Sequence, residues 1–291
     1  MARTVSIVGA GRLGKTLGSS LHELGWRIGP VITRSPGSAA AAVRAIGAGK
    51  AYGRLTPDVL ASSLVLVTTP DDALAGLARQ LAALDGRWRG KVVLHASGAL
   101  DRSALAPLAR RGASTGSLHP MQTFSGHGVP RFRGVTFAIE GDARARRTAR
   151  GIVRALGGVP VTVASAHKPA YHSTAVLAAG GEFALIEASV QVLEHAGFSR
   201  RRALQALLPL IRQVLDNIER LGPRAAWTGP ISRGDFAVVA RHARALRRFP
   251  REFQQAYAAL ALLAGRVLAG SPERALRQLR RALRNSQGGV R

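Results

Sequence analysis

Residues able to grip phosphate or move protons gather at four places in this sequence. The first is Gly9-Ala10-Gly11-Arg12-Leu13-Gly14-Lys15-Thr16, which satisfies two phosphate-binding patterns at once. As G-x-G-x-x-G after the apolar run Thr4–Val8 it is the turn of a dinucleotide-binding βαβ unit, in which the glycines make the turn, admit the pyrophosphate and pack helix on strand. As G-x-x-x-x-G-K-T it is a P-loop, with Lys15 on the phosphates and Thr16 on magnesium. Leu13, Leu17, Leu21 and Leu24 recur at helical spacing, so a helix opens inside the motif and Gly25 closes it. A strand over Gly29–Thr33 should follow. The residue at its end selects the cofactor by contacting the adenosine ribose. Thr33-Arg34-Ser35 stands there, and no Asp or Glu occurs between Glu23 and Asp58. An arginine in place of the acid suits a 2′-phosphate, hence NADP(H). The P-loop needs an acidic magnesium partner at another strand tip. Leu64–Val67 runs instead into Thr68-Thr69-Pro70, with Asp71 and Asp72 beyond the proline. The expected cofactor contacts are Gly9, Gly11, Arg12, Leu13, Gly14, Thr33, Arg34, Ser35, Thr68, Thr69 and Pro70, together with Ser97 and Gly98 of the second cluster.

That cluster pairs two strand ends, His95-Ala96-Ser97-Gly98 and Ser117-Leu118-His119-Pro120-Met121-Gln122-Thr123-Phe124. They offer two imidazoles on the side where an open α/β sheet places its ligands. The third is His167-Lys168-Pro169-Ala170-Tyr171-His172 at a helix start. Lys168 and His172 lie four apart, so both can project from one face. Of 42 basic residues only Lys15, Lys50, Lys91 and Lys168 are lysines. A lysine retained among so many arginines suggests a compact ammonium with a tunable pKa, as a proton donor requires. The fourth is the turn Trp227-Thr228-Gly229-Pro230-Ile231-Ser232-Arg233-Gly234-Asp235. It presents Thr228, Arg233 and Asp235 together, and its arginine fork suits a substrate carboxylate. Each cluster also has a plain structural reading: hydrogen-bonded strand-end histidines, a first-turn surface lysine, and an Arg233–Asp235 pair with Asp235 capping the next helix. No His/Asp/Glu spacing suggests a metal, and no G-x-S-x-G elbow is present.

Elements must bring these clusters together. Candidate strands are Thr4–Val8, Gly29–Thr33, Leu64–Val67, Val92–His95, Ser114–Leu118, Val135–Ile139 and Val159–Val163, with helices such as Ser38–Ile46 and Asp72–Leu84 between them. The alternation predicts an α/β doubly wound, mainly parallel sheet over residues 1–165. Residues 166–291 read as an all-helical domain. Its expected helices are Ser173–His195, a second kinked at Pro209, Asp235–Arg247, Arg251–Ala269 and Pro272–Arg284; Asn285–Arg291 should be frayed.

Composition bounds the rest. A length of 291 residues with 46% hydrophobic content supports two globular domains, and zero cysteines exclude disulfide and thiolate chemistry. No secretory leader is evident, and a cytoplasmic protein is the default expectation. Ser173–Leu193 is apolar but contains Glu182 and Glu187, which argues for a buried or interface helix and against a lipid-spanning one. The net charge of +26 would favour nucleic acid. The arginines are scattered along helices without interleaved aromatics, however, so no specific nucleic-acid partner is expected, only field-driven attraction of anions.

The order G-x-G-x-x-G, His-Ala-Ser-Gly, Ser-Leu-His-Pro-Met-Gln-Thr-Phe, Lys-x-x-Tyr-His and Thr-Gly-Pro-Ile-Ser-Arg-Gly-Asp resembles a bacterial family of Rossmann-like NADP-dependent oxidoreductases with a C-terminal domain of unknown function. That family is allied to ketopantoate reductases, pyrroline-5-carboxylate reductases and β-hydroxyacid dehydrogenases. The resemblance implies NADPH, a helical C-terminal domain, a homodimer formed through it, and an active site between domains. It implies catalytic roles for Lys168, His172 and His119, and substrate contacts from Thr228, Arg233 and Asp235. Two departures stand out. His172 occupies the place of an asparagine of the hydroxyacid dehydrogenases, and Ala179-Gly180 replaces a common Ser-Asn. The second motivates an alternative: a non-catalytic NADP(H)-binding sensor or scaffold.

Overall fold

The computed structural model describes residues 3–124 and 132–285, so the expectation for the chain end falls, from residue 286 onward, outside the described residues. The chain divides into two compact units after Gly181.

In the first unit eight strands form one sheet: β1 (Thr4–Val8), β2 (Arg27–Ile32), β3 (Lys50–Tyr52), β4 (Leu64–Val67), β5 (Val92–His95), β6 (Ser114–Pro120), β7 (Thr136–Gly141) and β8 (Val159–Thr162). Their spatial order is β3-β2-β1-β4-β5-β6-β7-β8, and every pairing is parallel except β6 with β7. The first six follow the doubly wound nucleotide-binding order. The order reverses between β1 and β4, which opens a crevice at their carboxyl ends. β3 was not expected from sequence: it is a three-residue edge strand with two exposed residues and no apolar run to announce it.

The pleat sorts the core. Val5, Ile7, Leu64, Leu66, Val92 and Leu94 face one side, where α1 (Arg12–Glu23) and α2 (Pro36–Ile46) cover them. Val8, Val65, Val67 and Val93 face the other, beneath α3 (Asp71–Ala82) and α4 (Ala106–Arg110). Trp88 lies in this second layer, 1% exposed, with its indole nitrogen unpartnered. α5 (Ala143–Ala155) packs on the first face, capped by Asp142, whose carboxylate accepts the Arg144 and Ala145 amides. Burial on both faces explains why these strands read as continuous apolar runs.

The long helix begins at Lys168, five residues earlier than its apolar run suggested. α6 (Lys168–Ala175) passes through a π-helical turn, Val176–Gly180, into α7 (Gly181–His195). A π turn accommodates one extra residue and recurs at functional positions. The stretch Ser165–His195 has the length and mean hydropathy, 1.5, of a membrane span by composition alone, with 6% of its apolar window buried. Leu177 (73% exposed) and Phe183 (69%) stand out on it. Little of its apolar window is thus covered, and Glu187 is bound by Arg200 at 2.7 and 3.0 Å.

The second unit is helical throughout its described residues: α8 (Arg200–Leu221, containing Pro209), α9 (Pro223–Ala226), α10 (Pro230–Arg233), α11 (Phe236–Ala245), α12 (Arg251–Val267) and α13 (Pro272–Asn285). Val239, Ala243, Ala261, Leu279 and Leu283 form its core. Leu210, Val214, Leu215, Ile218 and Leu221 of α8 and Leu263 of α12 remain exposed.

Candidate functional site

Three glycines shape the crevice between β1 and β4. Gly9 has φ +89°, in the left-handed region that favours glycine, and a Cβ there would sit 2.5 Å from Thr69 Cγ2 and 2.8 Å from the Thr69 amide. A Cβ on Gly14 would meet Thr68 Oγ1 at 2.4 Å, and that hydroxyl donates to Gly9 O at 2.7 Å. Gly11 is different: nothing but Gly9 O, at 4.0 Å, approaches its would-be Cβ. The first glycine thus turns, the third packs, and the second leaves open the space a pyrophosphate needs. Beside them the Thr69 hydroxyl is buried without a partner, while its methyl carbon closes on Gly9.

At the tip of β2, Thr33 Oγ1 donates to Ser35 O (2.9 Å), and Ser35 caps α2 by accepting the Ser38 amide (3.3 Å). Arg34 is exposed there with no acid beside it in sequence. A guanidinium, two serine hydroxyls and a helix N-terminus form an anion-receiving set. The P-loop alternative loses its parts. Thr16 Oγ1 bonds back to Arg12 O (3.0 Å), and Asp71 accepts the Ser97 hydroxyl (2.7 Å). Arg12 Nη1 donates to Phe124 O (3.3 Å), joining the glycine turn to the segment after β6.

The ends of β5 and β6 and the start of α6 build the second part of the site, all within the first unit. Lys168 is fully buried; its Nζ donates to Ser97 O (3.1 Å) and Ser117 Oγ (2.8 Å), tying the two strand ends to the helix. Burial pushes its pKa down, while the carboxylates of Glu140, Asp101 and Asp71 oppose the shift. The plain reading of Lys168 as a first-turn surface lysine is therefore corrected. Its stem is drawn under the strand ends because their oxygens are the acceptors within its reach.

His95 is 1% exposed. Its Nδ1 accepts the Ser97 amide (3.2 Å), so Nε2 carries the proton and donates to Asp101 O (3.0 Å). Burial lowers its pKa to about 4. The pKa of His119 also falls to about 4, first through burial and then through His172 and Lys168. His119 Nδ1 lies 3.0 Å from the Tyr171 hydroxyl, and the rings of Tyr171 and His172 both stand edge-on to it, at 5.7 and 5.5 Å. His172 Nδ1 is buried without a partner. Both imidazoles close on Gly98, where a Cβ would lie 2.4 Å from His172 Nδ1 and 2.8 Å from His119 Nε2. No side chain but hydrogen fits at that position.

Sequence reasoning missed three contributors. Ser117 anchors Lys168. Glu140, 6% exposed on β7 opposite Ser117, accepts the Arg102 amide (2.7 Å) and the Ser165 hydroxyl (3.2 Å), fixing the approach to α6. A lone acid inside an apolar strand was the available signal. Tyr171 is the third; its place in the Lys-x-x-Tyr-His run was visible, but its partner was not. The remaining expected residues, Thr228, Arg233 and Asp235, lie in the second unit. There Arg233 Nε pairs with Asp235 Oδ2 at 3.1 Å, both side chains largely exposed, and Asp235 precedes α11 without a side-chain cap bond. Among the described residues no His/Asp/Glu group could hold a metal ion.

Comparison with known proteins assigns both halves. Residues 2–120 match a Rossmann-like domain, and residues 135–264 match a domain of unknown function, DUF2520. The comparison with curated proteins found no match. Among solved structures, a Bacteroides fragilis protein provisionally described as an NADP oxidoreductase is 23% identical, with TM-score 0.74 over 89% of this chain and 96% of its own. Protein TM1727 from Thermotoga maritima is 24% identical (TM-score 0.68; 97% and 99% covered). An imine reductase from a Pseudomonas species is 20% identical (0.67; 97% and 100%). These likenesses share the fold.

Proposed function

We propose that this chain, a Rossmann-like domain followed by a DUF2520 domain, is an NADP(H)-dependent oxidoreductase. In this reading it transfers a hydride between nicotinamide and a small carboxylate-bearing 2-oxo or imino acid and its reduced product. The observation that carries the reading is the glycine turn. Gly9 and Gly14 are closed by Thr69 and Thr68, Gly11 is open, the Thr69 hydroxyl is unpaired, and Arg34-Ser35 stands where an acid would select NAD(H). Solved neighbours add support: a reductive aminase from Aspergillus terreus is described in complex with NADPH and ethyl-5-oxohexanoate.

The bound nicotinamide would supply or accept the hydride. Gly9, Gly11, Arg12, Leu13 and Gly14 would hold the pyrophosphate, Thr33, Arg34 and Ser35 the 2′-phosphate, and Thr68, Thr69, Pro70, Ser97 and Gly98 the nicotinamide half. Carbonyl reduction adds a hydride to carbon and a proton to oxygen, so the site must also offer a donor to that oxygen. His119, neutral at physiological pH, supplies a hydrogen-bonding imidazole as an electrophile does. Lys168, spending two of its three N–H bonds on Ser97 and Ser117, contributes the field that stabilises developing negative charge and a proton in reserve. His172 would orient Lys168 or the substrate, Arg233 would hold the substrate carboxylate, and Thr228 and Asp235 are further proposed substrate contacts. A ketopantoate-like 2-oxo acid is the first substrate to try. The exposed apolar rows of α7, α8 and α12 suit a homodimer formed through these helices.

The test is a calorimetric titration with NADPH, NADH and Mg-ATP at matched salt. NADPH should bind at least tenfold more tightly than NADH, and Arg34→Ala should erase most of that preference, since one charge-assisted contact accounts for about a factor of ten. Equal affinity for both dinucleotides would sink the assignment. NADPH binding without turnover on any oxo or imino acid would favour the sensor alternative, which the Ala179-Gly180 replacement motivates.

A further inference from the structure

Tyr171, to which no role has been given so far, determines what His119 can offer. Burial raises the phenol's pKa and keeps the hydroxyl protonated, with the Ala138 backbone opposing the shift. The phenolic proton then has one acceptor among the described residues, His119 Nδ1 at 3.0 Å. A neutral imidazole that accepts at Nδ1 must carry its proton on Nε2, the nitrogen that closes on Gly98 beside His172.

The groups facing His119 are His172, Lys168, Asp71 and His95. The carboxylates in and around this cluster are already engaged: Asp71 by the Ser97 hydroxyl, Asp101 by Ser103, and Glu140 by the Arg102 amide and Ser165. Asp71 still lends its negative charge to His119, but a group arriving at Nε2 meets an N–H and must bring an acceptor atom of its own.

We propose that Tyr171 is a positioning residue that locks His119 as an Nε2–H donor, so that the group received here is a carbonyl or carboxylate oxygen and not a protonated imine. This rests on the oxidoreductase reading and narrows its substrate class to 2-oxo acids, away from the iminium chemistry of the imine-reducing neighbours. An iminium nitrogen has no lone pair with which to accept the Nε2–H, whereas an oxygen accepts from it.

The experiment uses the full chain labelled with ¹⁵N-histidine, with the His119 signals assigned by their loss in His119→Gln. Proton-coupled spectra at neutral pH should place the His119 proton on Nε2, and Tyr171→Phe, which keeps the ring packing, should give a mixture of tautomers. Oxamate, an unreactive 2-oxo acid mimic, should shift the His119 and His172 signals at constant ionic strength, and acetamidinium should not. Losing the Tyr171 hydroxyl should weaken oxamate about three- to tenfold, the range of one hydrogen bond. His119→Gln, whose amide can replace the Nε2–H, should retain more oxamate affinity than His119→Asn. A proton on Nδ1, an unchanged tautomer in Tyr171→Phe, or preferential binding of acetamidinium would each overturn the proposal. So would a protein that binds NADPH yet lets neither probe reach His119. Failure of NADPH binding with the Nε2–H tautomer present would instead remove the oxidoreductase reading and leave the Tyr171–His119 pairing standing.

Discussion

His95 and His119 are held neutral by burial, with folded pKa values of about 4 against an ordinary 6.5. Between those values the unfolded chain binds more protons than the folded one, so stability must fall as pH drops from about 6.5 toward 4 and change little from this source above 7. Each shift corresponds to a few kcal/mol at order of magnitude. Urea unfolding from pH 7.5 to 4.5 should show the loss, and His95→Gln should flatten part of it; a slope unchanged in that variant would mean the imidazole is not buried neutral. The chemistry at this scale was only partly visible beforehand. The residue types at 95, 119, 168 and 172 stood in the sequence, but their partners did not, because Ser97, Ser117, Glu140 and Tyr171 meet them only once β5, β6 and β7 lie side by side. Lys168 shows the limit most clearly: helical spacing gave its direction but could not say that two strand-end oxygens wait beneath it.

Among the elements, the glycine turn and the strands around it were legible because each local signal agreed with the fold: apolar runs for buried strands, glycines where contacts forbid a Cβ. Gly14 and Gly37 test this reading against each other. An Ala at 14 collides with Thr68 Oγ1 and breaks its bond to Gly9 O, so Gly14→Ala should cost about 1–3 kcal/mol despite alanine's better helix propensity. NADPH binding should weaken with it. Gly37, in the first turn of α2, has nothing within 4 Å of its would-be Cβ. Gly37→Ala should therefore be neutral or stabilise by about 0.4–1 kcal/mol. Thermal unfolding of the pair decides, and equal losses would show that the Gly14 contacts do not hold. Elements without a pattern were the ones missed: β3 is too short to show a period, and the π turn at Val176–Gly180 depends on geometry that periodicity does not record.

For the whole molecule, the dominant facts are a +26 charge and apolar side chains left exposed on the π turn, α7, α8 and α12. Leaving Leu177, Phe183, Leu210 and Leu221 exposed forgoes about 1.5–3 kcal/mol for each side chain that a partner surface could fully cover. With the proposed homodimer, light scattering should give twice the chain mass, and Leu177→Asp with Phe183→Asp should give the monomer without loss of NADPH binding to the first unit. A monomeric wild-type protein at micromolar concentration would remove the dimer from the proposal. The charge sets the conditions: scattered arginines attract any polyanion at low salt, so binding experiments carry meaning only where that attraction is screened.

The tryptophans divide between the units. Trp26 and Trp88 are buried in the first, Trp88 beneath α3 with its indole unpaired, while Trp227 belongs to the second and is only partly covered. The chain thus carries its own optical labels. Emission from Trp26 and Trp88 starts blue and moves red only when the sheet opens, whereas Trp227 reports on the helices. Phe substitution of Trp227 would leave a spectrum belonging to the Rossmann-like half alone, and fluorescence could then tell whether the two halves melt together or in turn.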